Sequence, residues 1–450
     1  MGRWRDGFDF KEAIDMKKKI FAIVSIVLCF ASLLTCTSCV MEDTEYESGS
    51  GMYGSESLGG VIFTDTEKET PAATINTNTN ANNNSGNSSS GTSSSTTQTY
   101  TPGVSKATKT LTKTNYTFAN MPENEQALFK FVGRVKPCST GLIFDNSCAT
   151  LQFQGFMTGD VVLEIHSKQN DDYGYGFSYF TVYVDGKRSD TRFQVDENKT
   201  AKLTIASFTG NFFHTIKVVK QTEFKWSQAT IKSLSFTGYL TDAPAKAKYY
   251  IEFLGDSLTA AYGNIGKPGN EPSDSPKYQD GTKSYAYLAA EALGADYSMI
   301  SRSSVGISKC WTNAPIIDYY KTYSKGRSSE AFDPKNERKP NLIVIHLGAN
   351  DYNVGGSNET NFVSKGKDLV NYLRASYGTS IPIIWAYDPK EGFPKKVKEI
   401  MDSYGGESKG YYTLSLGWSE KGAGGHPSAN EHSKHANLLK KLVEDKKLLK

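Results

Sequence analysis

Apolar positions along this chain follow two different periods. From Tyr116 to Leu240 they fall in short β-branched and aromatic runs divided by turn residues: Val161–Ile165, Phe180–Val184, Lys202–Ile205, Thr215–Val219 and Ile231–Phe236. Alternation of period two predicts strands, and Asp185-Gly186 after Val184 predicts a tight hairpin. Short strands with no helical stretch between them predict an all-β sandwich of jelly-roll type. A polar, Pro-containing joint, Thr241–Lys248, follows, and the period then changes. Strands expected at Tyr249–Leu254, Asp296–Ile300, Leu342–His346, Ile381–Ala386 and Tyr411–Leu414 alternate with helices expected at Ser284–Leu293, Phe362–Ala375, Phe393–Tyr404 and Ala429–Asp445. That alternation predicts an α/β domain, a parallel sheet with helices on both faces.

The first hundred residues belong to neither pattern. Lys17-Lys18-Lys19 precede an apolar run of 15 residues, Ile20–Leu34. A membrane span needs about 20, so the run reads as the core of a secretory signal. Thr35-Cys36-Thr37-Ser38-Cys39 resembles a bacterial lipoprotein processing site, with Cys36 or Cys39 as the lipidated residue. An ordinary signal peptide and an uncleaved anchor are the alternatives. Met41 to Gly103 has little apolar content, and Asn76–Thr99 is nearly all Asn, Ser, Thr and Gly. Such a segment buries too little to offset chain entropy and reads as a disordered tether. The expected organisation is a leader over 1–39, a linker over 40–105, a β-sandwich over 106–243 and an α/β domain over 244–450.

Composition narrows the partners. The 450 residues carry a net charge of +3 with both signs mixed, which gives no warrant for a nucleic-acid partner. Contact with a membrane is expected only through the N-terminal lipid anchor. Tyr 26 and Phe 23 are generous counts that suit β-structure or carbohydrate contact. Past the leader, Cys138, Cys148 and Cys310 remain, an odd number that cannot form a complete disulfide framework. Cys138 and Cys148 either bridge a short loop or stay as two reduced thiols.

The candidate chemistry lies in four blocks of the second domain: Gly255-Asp256-Ser257, Ser303-Ser304-Val305-Gly306, Leu347-Gly348-Ala349-Asn350-Asp351 and Gly424-Gly425-His426-Pro427-Ser428. Each follows an expected strand or opens a helix, so all four can gather at one sheet edge, where α/β folds hold ligands. A serine there is inert near neutral pH without a base in hydrogen-bond reach.

In order and spacing the blocks resemble the SGNH (GDSL-type) hydrolases, over Tyr249 to about Lys450. Phe131-Val132-Gly133-Arg134, Val182–Gly186, His214–Lys220 followed by Glu223, and Tyr262-Gly263-Asn264 are similar to carbohydrate esterase family 2. The resemblance implies an SGNH-hydrolase (flavodoxin-like) three-layer αβα domain behind a jelly roll. It implies removal of acetyl groups from plant polysaccharides such as xylan and glucomannan. The implied partner is an acetylated polysaccharide or oligosaccharide. Ser257 would be the nucleophile and His426 its base. The Ser257 and Gly306 N–H groups and the Asn350 amide would form the oxyanion hole, each donor worth ~3 kcal/mol. Asp256 and Asp351 read as turn or cap residues.

One departure stands out. The family pattern has an Asp two or three residues before the histidine, and Ala423 and Gly424 occupy those places here. A Ser–His dyad is implied, with a backbone carbonyl orienting the imidazole. The alternatives are a polysaccharide-binding surface protein with a weak or vestigial site, and an esterase for other acyl esters. No cofactor or metal is expected. His432 and His435 share a helix face at i, i+3, but no Cys or carboxylate cluster accompanies them. Among Trp311, Trp385 and Trp418, the last, in the loop before His426, is the expected sugar platform. Asp171–Gly176 reads as a solvated loop.

Overall fold

The computed structural model describes residues 105–170, 176–270, 275–312, 314–324, 330–354 and 358–450. The leader with Cys36 and Cys39, the linker up to residue 104, and residues 171–175 lie outside the described residues. Among the described residues no helix is long and apolar enough to cross a membrane.

The N-terminal part is an all-β sandwich in which ladder partners are antiparallel. Its frame is three long strands, Thr150–Gln169, Thr200–Lys220 and Ser227–Leu240, with the first between the other two. This revises the expectation of separate short strands. The runs at Lys202–Ile205 and Thr215–Val219 are two ends of one strand, joined through a bend. Register shifts at Met157/Gly159, Val161/Val162, Ile231/Ser233 and Ser235/Thr237 mark the bends. An extra residue in one strand increases local twist and lets a continuous ladder fold over on itself. The Asp185-Gly186 turn does form, pairing Val184 with Lys187, and both turn residues have positive φ (52° and 82°).

The second part is an α/β layer structure. Five parallel strands run in the order Ala295–Ser301, Tyr249–Gly255, Leu342–His346, Ile383–Tyr387, Tyr411–Ser415. In chain order this is 2-1-3-4-5, the flavodoxin-like arrangement. Side chains alternate between the two faces. Ile251, Phe253, Val344 and Ile384 pack with the helices Tyr285–Ala292 and Ala429–Asp445. Leu254, Ile343, Ile345 and Trp385 pack with Glu359–Tyr377 and Pro394–Ser403. Glu359–Tyr377 starts before the expected Phe362 because Asn358 accepts the N–H groups of Thr360 and Asn361, capping the helix.

The two parts share an interior. Val132, Cys148 and Val219 of the sandwich join the core around Ile251, Tyr297 and Tyr287. Cys148 is fully buried there and Cys138 is partly exposed; both are free thiols, so no bridge joins them. Beneath the sheet Arg134 of the sandwich meets Glu252 of the first parallel strand at 3.4 Å, both buried. Glu252 also accepts hydroxyl bonds from Tyr320 (2.7 Å) and Tyr377 (3.1 Å). Phe332 and Tyr320 cover the guanidinium with centroids at 3.4 and 4.5 Å. Burying a charge is costly unless it is paired and hydrogen-bonded, and these groups supply both.

Candidate active site

Strand Tyr249–Gly255 lies between its parallel neighbours and ends at the site. Asp256 caps the short helix Ser257–Ala260 by accepting the Leu258 N–H at 2.9 Å. The Ser257 N–H therefore opens a helix, where N–H groups lack intrahelical acceptors. Asp256 is fully buried, and burial pushes its carboxyl up to about 7.

Ser257 Oγ lies 2.8 Å from His426 Nε2, although 169 residues separate the two in sequence. His426 Nδ1 lies 3.0 Å from the carbonyl oxygen of Gly424. A carbonyl only accepts, so Nδ1 carries the proton and Nε2 is left to accept from the Ser257 hydroxyl. Gly424 has φ of 63°, and a Cβ there would stand 2.8 Å from the Tyr262 ring. Glycine thus permits the turn that aims this carbonyl at the imidazole. Tyr262 packs against His426 with ring centroids 4.6 Å apart, and Trp226 of the sandwich stacks behind Tyr262 at 6.0 Å. The loop is tied to the serine side by Ala423 N–H to Gly263 O at 2.9 Å and Ala429 N–H to Asn264 O at 2.8 Å.

The Gly306 turn follows strand Ala295–Ser301. A Cβ on Gly306 would lie 1.7 Å from the Lys309 carbonyl oxygen, so no side chain fits. Asp351, fully buried, fastens the loop beyond it. It accepts the N–H groups of Ile307 (2.9 Å), Ser308 (2.6 Å) and Lys309 (2.8 Å), and the Ser308 hydroxyl at 2.8 Å. This is more than the turn or cap role read from sequence. The signal available was adjacency to Asn350; nothing local points to a loop some 40 residues upstream.

Asn350 donates to Val305 O at 2.8 Å and to Asp256 Oδ2 at 3.2 Å. An oxyanion would compete for the second, longer bond. Serine, histidine, glycine turn and asparagine are thus linked through direct contacts or one shared residue. Trp418 sits half-buried on the loop between Ser415 and Ala423. Trp385 is core, its Nε1 donating to Leu347 O at 3.1 Å. Trp311, beyond Gly306, is 65% exposed and Tyr352, beyond Asn350, is 47% exposed. His432 and His435 are buried under Tyr285; His432 Nδ1 accepts the Tyr285 N–H and His435 Nε2 meets Gly417 O. Among the described residues no group of three potential ligands could hold a metal.

Residues 251–411 match the model of the GDSL-like lipase/acylhydrolase family. The chain is 32% identical over 206 residues to the cellulase/esterase CelE of Acetivibrio thermocellus, covering 45% of this chain and 25% of that protein. It is 28% identical over 259 residues to an acetylxylan esterase / glucomannan deacetylase of Cellvibrio japonicus, covering 52% of this chain and 70% of that one. The match thus spans a quarter of the first relative's length and under three quarters of the second's. Among solved structures, a family two carbohydrate esterase from Clostridium thermocellum in complex with cellohexaose superposes with a TM-score of 0.63. It is 26% identical, and the superposition covers 71% of this chain and 98% of that one. With the sandwich, the 2-1-3-4-5 sheet and the four blocks at its edge, these likenesses converge: residues 251–411 carry the GDSL-like acylhydrolase pattern, and the chain as a whole is similar to the family two carbohydrate esterases, with a β-sandwich domain ahead of the α/β domain.

Proposed function

We propose that this protein is a carbohydrate O-acetylesterase that removes acetyl groups from plant polysaccharides such as xylan and glucomannan. The observation that carries the proposal is the 2.8 Å contact between Ser257 Oγ and His426 Nε2 at the carboxyl edge of the parallel sheet. Ser257 attacks the acetyl carbonyl while His426 Nε2 takes its proton. The carbonyl oxygen becomes an oxyanion facing the Ser257 and Gly306 N–H groups and the Asn350 amide. Collapse breaks the bond to the sugar oxygen, which receives the proton from His426 and leaves as a free hydroxyl. Water, deprotonated by the same imidazole, attacks the acetyl-serine, and acetate departs as Ser257 regains its proton.

Sugar contact is assigned to Trp418, Trp311 and Tyr352, whose partly or well exposed rings suit stacking on a pyranose face. The N-terminal leader is assigned to export, with lipid attached at Cys36 or Cys39. Incorporation of a labelled fatty acid into the chain, lost in Cys36→Ser or Cys39→Ser, tests that part.

A second reading has one observation in its favour. His426 Nδ1 meets a backbone carbonyl rather than a carboxylate, so imidazolium formation is less supported than in a full triad. On this reading the protein binds polysaccharide and hydrolyses little. Acetate release from acetylated xylan and glucomannan, with Ser257→Ala beside the wild type, separates the two. Release that vanishes in the variant supports the esterase. Affinity for deacetylated glucan or mannan, with no acetate from either polymer, supports the binding protein.

A further inference from the structure

The sandwich sends one acidic side chain into the catalytic domain, and its target is the turn that carries Gly306. Glu223 is fully buried. Its Oε2 accepts the Ser303 N–H at 2.5 Å and its Oε1 accepts the Ser303 hydroxyl at 2.5 Å. Lys220, also fully buried, donates from Nζ to the carbonyls of Thr222 (2.7 Å) and Glu223 (3.3 Å), so the carboxylate stands on a fixed main chain. Gln279 completes the clamp. Its Nε2 donates to Glu223 Oε1 at 3.3 Å and to Ala260 O, in the Ser257 helix, at 2.7 Å. Its Oε1 accepts from Glu223 N at 3.1 Å and Trp226 Nε1 at 2.8 Å.

Ser303 stands three residues before Gly306, and Ser304 between them has φ of 71°, uncommon for a residue with a side chain. Asp351 fastens the far side of the same turn at Ile307–Lys309. Two buried carboxylates from different parts of the fold therefore bracket the segment that presents the Gly306 N–H. Apolar packing would hold two domains together at lower desolvation cost than a buried carboxylate. A carboxylate with both oxygens on one residue fixes that residue's orientation as well as its place.

We propose that Glu223 is a positioning residue for the oxyanion hole: through Ser303 it sets the turn so that the Gly306 N–H faces the oxyanion formed on Ser257. The proposal rests on the esterase reading above and adds that the sandwich completes the catalytic site.

The test compares the full chain with Glu223→Ala, Glu223→Gln and Ser303→Ala. It reads acetate release from an aryl acetate, the rate of Ser257 labelling by an aryl phosphonate, and hydrogen exchange over 303–309. Glu223→Ala is expected to lower kcat and the labelling rate on the order of 100-fold, as for loss of one oxyanion donor, with KM within about two-fold and faster exchange in the turn. Glu223→Gln, which keeps one acceptor for the Ser303 N–H, recovers most of the rate. Ser303→Ala loses only the hydroxyl bond and falls about ten-fold. If Glu223→Ala does not fold, the other two variants decide. Wild-type kcat, labelling and exchange in the folded variants overturn the proposal. A wild type that neither releases acetate nor takes the label overturns the esterase reading instead. Exchange in the turn then still decides whether Glu223 holds it, because unchanged exchange refutes the clamp without reference to activity.

Discussion

The carbonyl of Gly424 lies 3.0 Å from Nδ1 of His426, two residues further along the same loop. A peptide dipole selects the tautomer that a catalytic base needs, but it stabilises the imidazolium less than a full negative charge does. The backbone conformation of Gly424 therefore controls the base. Gly424→Ala forces a Cβ into a left-handed position and against Tyr262. We expect kcat to fall ~10–100-fold with the fold retained, since a misdirected general base forfeits part of a 10²–10⁴-fold effect. Steady-state kinetics on an aryl acetate, beside circular dichroism, check it; unchanged kcat would separate the loop geometry from the base.

Asp351 holds three N–H groups and one hydroxyl of the loop beyond Gly306. Asp351→Ala leaves those buried or part-buried donors without their acceptor, at about 1–3 kcal/mol for each group that water does not reach. The expected result is a melting temperature lowered by several degrees together with a kcat loss of ~100-fold. Thermal melts and kinetics on one preparation test both, and loss of stability with full activity would contradict the link to the oxyanion turn.

Trp311 and Tyr352, both well exposed, follow Gly306 and Asn350 in the chain. Replacing either with alanine should raise KM for acetylated polysaccharide several-fold, since stacking contacts of this kind are worth about 0.5–1.5 kcal/mol. KM for a small aryl acetate, too short to reach the rings, should hold. Equal effects on both substrates would remove these rings from sugar recognition.

Stability should form a dome in pH. Burial holds His346 and His432 down at about 3, against 6.5 for a free imidazole. Below 6.5 the unfolded chain takes up protons that the folded chain refuses, so these groups cost stability progressively as pH falls toward 3. Asp256 has the opposite sign. Its folded value of about 7 lies above the 3.8 of a free aspartate, so the folded form holds the proton longer and stability declines as pH rises from about 4 to 7. Among the described residues His346 has no hydrogen-bond partner on either ring nitrogen, so His346→Leu should flatten the acid limb. Denaturant melts from pH 4 to 8 read the slopes, and an unchanged acid limb in the variant would count against this assignment.

What the sequence made legible was local. Tyr249–Leu254 and Leu342–His346 read as strands because short runs rich in apolar, β-branched and aromatic residues, each leading into a glycine turn, have few other uses. The long sandwich strands were hidden because a bulge looks, in one dimension, like a turn between two short strands. Among the site groups, Ser257 and His426 stand in recognisable blocks. The partner of Nδ1 does not, since a main-chain carbonyl has no residue type to signal it. Glu223 and Ser303 are 80 residues apart on different layers, and only three-dimensional packing brings them together. Cys138 and Cys148 were ambiguous for the same reason, because spacing along the chain says nothing of burial.

The Arg134–Glu252 pair sets how this molecule comes apart. Parting the sandwich from the α/β domain would strand a fully buried carboxylate in the middle of a parallel sheet, with two tyrosine hydroxyls and without the Arg134 cation. Removing one partner of a buried ion pair costs about 3–5 kcal/mol, a large share of the roughly 5–15 kcal/mol that holds a typical protein together. Sandwich and hydrolase should therefore melt in one transition, and swapping either for a relative's counterpart would require moving arginine and glutamate as a matched set.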